Sequence, residues 1–252
     1  MKNTILAVLV VLAFTLAVSA QEKKPPMALR SGGTTGAASP IQNSGASFVP
    51  PTLCGSCFFY GGDINPISPN ADGFSDENTL LIVGGSATYG AVIMPFQAAL
   101  QGMVFNILAS AAFDPKAANY DIRENITDDG GISVQNGSST IQIQATGRNA
   151  FGFTEYAIAI HFPTVTLEPG VEYWFNVEPQ CLNGAQDGSC YVGRFYASNS
   201  QGANNIRGTA QPQSEVYFNS NFFGVSFENW CTQGLTPGEC DLLSFGLIGT
   251  PN

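Results

Sequence analysis

Hydrophobic and polar residues alternate along three stretches in the middle of the chain. Between Ser139 and Thr146, Ile141, Ile143 and Ala145 point one way and Thr140, Gln142 and Gln144 the other. Between Thr154 and Phe162, Tyr156, Ile158, Ile160 and Phe162 share one side, with Glu155, Ala157, Ala159 and His161 opposite. Between Val171 and Glu178, Val171, Tyr173, Phe175 and Val177 face in, and Glu172, Trp174, Asn176 and Glu178 face out. A period of two predicts strands that bury one face and hydrate the other. Apolar runs bounded by Gly, Asn, Asp or Pro predict further strands over 79–83, 90–94, 103–108, 119–124, 190–198, 215–219, 222–227 and 242–248. Residues 96–113 carry a helical alternative, because Phe96, Leu100, Met103, Ile107 and Leu108 recur at helix-like spacing. Gly147 and Gly152 suit a hairpin connection, and Leu167-Glu168-Pro169-Gly170 reads as a turn with Pro and Gly at its centre. Many short strands joined by turns predict an all-β fold, a single antiparallel β-sandwich of jelly-roll type.

The N-terminal pattern is different. Lys2 precedes an apolar run, Ile5 to Val18, and Val18-Ser19-Ala20 offers small residues for cleavage, so residues 1–20 read as a secretory signal peptide. The run is too short to span roughly 30 Å of hydrocarbon, and no later stretch is an uninterrupted apolar span. Residues 21–52, with Pro25-Pro26 and Ser31-Gly-Gly-Thr-Thr-Gly-Ala-Ala-Ser-Pro40, read as a flexible linker. Residues 53–252 then form one β domain, since no second linker divides them. The expected protein is secreted, with no membrane span in its mature chain.

Charge removes two classes of partner. The 252 residues carry 9 Lys and Arg against 19 Asp and Glu, a net charge of −10. Phosphate backbones and anionic lipid surfaces attract clustered cations, so neither nucleic acid nor an anionic membrane surface is expected to bind.

All six cysteines lie beyond the leader: Cys54, Cys57, Cys181, Cys190, Cys231 and Cys240. An even number in an exported chain predicts disulfides. Cys181 and Cys190 flank a turn-rich segment, as do Cys231 and Cys240, so each pair is expected to close its loop, leaving Cys54 with Cys57. Cys54-Gly-Ser-Cys57 also has redox-dithiol spacing, but Pro50-Pro51 before it and Phe58-Phe59-Tyr60 after it favour a structural clip. No second C-x-x-C or His pair completes a zinc site.

Candidate chemistry is sparse. His161 is the single histidine, and no G-x-S-x-G elbow accompanies it. Glu155 and Glu172, both expected to face out, are the candidate carboxylate pair for glycoside hydrolysis. Asn70, Asp72 and Asp76, with Asp63 and Glu77 nearby, are the candidate oxygen ligands for a structural Ca²⁺, although the EF-hand spacing is absent and Asx turns explain the same letters. Trp174, beside Gln142, Gln144, His161 and Asn176, is the candidate platform on which a sugar ring could stack. The competing reading has Trp174 covered by a loop or sheet.

Gly147-Arg-Asn-Ala-Phe-Gly-Phe-Thr-Glu-Tyr156, then Leu167-Glu-Pro-Gly170 and Tyr173-Trp174, preceded by Tyr120-Asp-Ile-Arg123 and the Asp128-Asp129-Gly130-Gly131 turn, form a recognisable block. Over residues 75–250 the chain resembles exported bacterial β-sandwich proteins of the PEP-CTERM or choice-of-anchor type. The resemblance implies a surface or matrix protein and carries over no catalytic residue. No Pro-Glu-Pro motif, apolar helix or basic tail follows Phe245 to Asn252, so release is expected. The expected function is therefore a non-enzymatic surface or matrix protein that binds glycan or other surface proteins. A hydrolase with paired carboxylates and a self-assembling structural subunit are the alternatives.

Overall fold

The computed structural model describes residues 53–63, 74–78, 86–109, 114–150, 153–180, 195–198, 208, 211–220, 224–229 and 243–252. The leader, the linker, Asn70, Asp72, the 79–83 strand and the four cysteines from Cys181 to Cys240 lie outside the described residues. The strands are β1 (Cys57–Tyr60), β2 (Phe74–Asn78), β3 (Ser86–Ile93), β4 (Ala98–Ala109), β5 (Ala117–Glu124) and β6 (Ile132–Ala150). They continue as β7 (Phe153–Leu167), β8 (Glu172–Gln180), β9 (Phe195–Ser198), β10 (Gln211–Ser220), β11 (Val225–Asn229) and β12 (Phe245–Pro251). The fold is all-β, as the alternation predicts, and every pairing is antiparallel.

The strand order is β1-β12-β4-β7-β6-β5-β8-β3-β10-β11, with β9 pairing β2 and β4 beside this path. Strand β6 joins two halves. Its first part pairs with β5 as far as Thr140, and from Ile141 onward it pairs with β7. The halves share one core: Phe245 of β12 lies 5.3 Å from Phe105 of β4 and 5.7 Å from Phe175 of β8, ring centre to ring centre. Strands β12 and β8 are far apart in the sheet, so these contacts require it to fold back on itself. Burying aromatics of this size contributes about 1.5–3 kcal/mol each.

Residues 98–109 are strand, not helix. Strand β4 is paired with β12 and β7, and its residues from Gly102 to Ala109 are buried on both faces. A continuous apolar run suits a strand covered on both sides as well as it suits a helix. The turn at Leu167–Gly170 forms as predicted: Gly170 has φ +77°, a geometry that favours glycine.

Two faces expected to meet water are covered instead. Ala157 and Ala159 of β7 pack with Cys54, Tyr60, Val104 and Ile248 in a second apolar cluster. Trp174 of β8 packs with Tyr89, Ala91, Ile126 and Tyr217 in a third. Alternation along a strand reports which residues share a side, not whether that side is open. The Cys54–Cys57 disulfide closes a tight turn, with the Cys57 amide donating to the Cys54 carbonyl at 3.0 Å. It sits on Gly246 of β12, where a Cβ would overlap the Cys54 sulfur and lie 3.0 Å from that of Cys57.

Candidate functional site

Titratable and hydroxyl side chains converge where β1, β4, β6, β7 and β9 come together. Glu155, at the start of β7, is fully buried. Its Oε2 accepts from Arg148 Nε at 2.5 Å and Thr146 Oγ1 at 2.7 Å, and its Oε1 accepts from Ser198 Oγ at 2.7 Å. Hairpin pairing of β6 with β7 brings Arg148 back beside Glu155. Arg148 then reaches Asp63 Oδ2 at 3.1 Å. Asp63 Oδ1 accepts from the Tyr60 hydroxyl at 3.0 Å. Asn106 Nδ2 donates to Tyr60 and to Ser244 Oγ at 2.8 and 2.7 Å, and Ser244 donates to the Gly62 carbonyl at 2.6 Å.

One cation is thus set between two carboxylates, all three buried. Burial opposes the charge on Arg148, but Glu155 and Asp63 outweigh it and its pKa rises above the ordinary value. Burial first, and then the negative charges of Asp63 and Glu155, push the Tyr60 hydroxyl well above its ordinary value. Each Glu155 oxygen is occupied by protein donors, and none of its side-chain surface reaches water. A general acid or nucleophile needs a lone pair or proton that a substrate can reach. This network is built to hold strands together.

The candidate hydrolase pair is not assembled. Glu155 lies on β7 and Glu172 on β8, and those strands are separated by β6 and β5. The expectation that both face out is corrected for Glu155, which is buried under Thr146 and Arg148 of β6 and Ser198 of β9. The candidate sugar platform is also dispersed. Gln142, Gln144 and His161 are exposed on β6 and β7. Trp174 and Asn176 sit on β8, whose partners are β5 and β3. Hairpin order suggests that β8 would follow β7 in the sheet; the crossover to β5 overturns this. Trp174 and Asn176 are buried, not outward in water: Tyr217 stands edge-on to Trp174 at 4.8 Å, and Asn176 Nδ2 donates to the Thr88 carbonyl at 2.9 Å.

Asp76 lies in β2, which pairs with β9. Among the described residues, no three His, Cys, Asp or Glu side chains gather as a metal site. Glu178, at the far end of β8, is half-buried, and burial pushes its carboxyl up to about 7. Its Oε1 is shut from water and has no hydrogen-bond partner among the described residues.

The Arg148–Glu155 bridge escapes a reading of the sequence by strand faces alone. Its signal is a lone arginine seven positions before a glutamate, on opposite arms of a predicted hairpin. Comparison with protein-family models and with curated proteins returns no match for this chain.

Proposed function

We propose that this is an exported, non-enzymatic β-sandwich protein of the cell surface or extracellular matrix, of the PEP-CTERM or choice-of-anchor type. The observation that carries the non-enzymatic part is Glu155: fully buried, with both oxygens engaged by Arg148, Thr146 and Ser198. Export is supported by Lys2, the Ile5–Val18 run and the small residues before Gln21. The jelly-roll reading is supported by the strand order. Numbered among themselves, the eight strands β1, β3–β8 and β12 fall into the sets 1-8-3-6 and 5-4-7-2, the interleaving of two Greek keys.

Two measurements test the proposal. N-terminal sequencing of protein recovered from outside a producing bacterium should begin at Gln21; retention in the cytoplasm with Met1 intact would overturn export. Incubation with neutral polysaccharides should leave their chain-length distribution unchanged; shortening by wild type but not by Glu155→Gln would overturn the non-enzymatic reading.

A further inference from the structure

The edge of a sheet is where another chain can add a strand, and native edges are kept short, charged, covered or broken by proline and bulges. Four edges of this fold follow that rule. Strand β1 has four residues, and a Cβ on Gly208 would overlap the Phe58 carbonyl, so the chain at 208 covers it. Strand β2 carries Asp76 and Glu77. Strand β11 has five residues, a register shift against β10, and Phe227 at φ +43°. Beyond His161, β7 pairs with β4 alone among the described residues. There Pro163 has no N–H, and the carbonyls of His161 and Pro163 accept from Ser139 Oγ at 2.7 Å and Gln135 Nε2 at 3.4 Å.

The first half of β6 departs from it. Ile132 to Thr140 pair with β5 on one side, and no other strand among the described residues pairs with them. From Gly131 to Gly147 no residue is charged and none is proline. Val134 is a bulge against β5, which leaves Gln135 to Thr140 regular. Gly137 is exposed, and a glycine can expose only main chain. Its inner side is filled, since a Cβ there would lie 3.0–3.3 Å from the Tyr120 hydroxyl and ring, so the open surface is the edge and outer face of the strand. Asn136, Ser138 and Thr140 are exposed beside it. Ile132, where the strand begins, is 66% exposed, and no other large hydrophobic residue among the described residues is exposed.

We propose that this edge binds a second copy of the chain, β6 against β6 in antiparallel pairing. The occupant follows from charge. The strand offers neither cation nor carboxylate to a charged peptide, and two copies of net charge −10 repel except where they meet along a neutral strip. The register follows from the faces. Directly opposed residues share one face of a sheet. Gly137 lies opposite Tyr120 of the core, so Gln135, Gly137 and Ser139 face in, and Asn136 and Ser138 face out. A two-fold axis at Gly137 sets Asn136 opposite Ser138 of the second copy, and Gln135 opposite its Ser139. Each pair is an amide facing a hydroxyl, and both groups donate and accept. Six regular residues make an interface well below the ~1,600 Å² of a standard one, so the dimer forms only at high concentration. The pairing requires neither export nor the absence of catalysis, so it stands or falls apart from the function proposed above.

The test is sedimentation velocity of the purified chain from micromolar to submillimolar concentration. Wild type should pass from monomer to dimer as concentration rises. Asn136→Asp combined with Ser138→Glu sets carboxylates opposite each other in two places and should weaken the dimer at least tenfold. Asn136→Asp combined with Ser138→Lys sets opposite charges in the same two places. That variant should dimerise at least as tightly as wild type, and its dimer should loosen in high salt while the wild-type dimer does not. Thermal melting followed by circular dichroism should give both variants the wild-type midpoint, which separates lost pairing from lost folding. The proposal is overturned by a wild type that stays monomeric throughout, or by an Asp/Glu variant that dimerises as wild type does, which would place the contact elsewhere. It is equally overturned by an Asp/Lys variant that loses the dimer, or whose dimer ignores salt.

Discussion

Glu178 and Glu155 are both carboxylates on strand faces turned from the core, and they differ in their partners. Glu178 has no donor at one oxygen among the described residues, and burial raises its folded carboxyl from 4.5 to about 7. A raised folded value means that the native state binds the proton more tightly than the unfolded chain. The resulting stability is complete below pH 4.5 and fades as the pH rises to about 7. Glu178→Gln should therefore match wild type at pH 4.5 and exceed it by roughly 2–3 kcal/mol at pH 8, measured from urea unfolding midpoints. A flat difference across that range would refute the assignment. Arg148 presents the opposite case. Arg148→Ala leaves two buried carboxylates without their cation and should cost about 3–5 kcal/mol by the same measurement. A loss below 1 kcal/mol would mean that water enters and solvates Glu155 and Asp63.

The turn that carries the disulfide depends on a neighbouring strand having no side chain. Gly246→Ala drives a methyl group into the Cys54 sulfur and should lower stability by about 1–3 kcal/mol. It should also speed reduction of the bond by dithiothreitol; an unchanged rate would show that the turn shifts aside without loss. Elements of this kind mark the limit of what the sequence discloses. Alternation identified β6, β7 and β8 and the core side of each, since Tyr173, Phe175 and Val177 all reach the shared core. It did not show that Ala157 lies under Tyr60, or that Trp174 lies beneath Ile126 and Tyr217, because those covers come from distant parts of the chain. The polar network was hidden for the same reason: Asp63 and Glu155 are bridged by Arg148 across three separate segments. Strand β1 gave no periodic signal in four residues.

At the scale of the whole molecule, β6 makes a single sheet of two halves, and the pairings that close it link segments distant in sequence. Contacts of that kind slow folding, because the chain must meet itself across long loops before it gains anything. Refolding from urea should accordingly take milliseconds to seconds, read by tryptophan fluorescence; a microsecond phase carrying the full amplitude would contradict this topology. Strand β12 sharpens the point. The last strand lies between β1 and β4, and Phe245 touches rings from β1, β4 and β8. Until β12 is in place, the half built on β4 therefore has an open edge where β12 would pair, and its core lacks the ring that joins β1, β4 and β8.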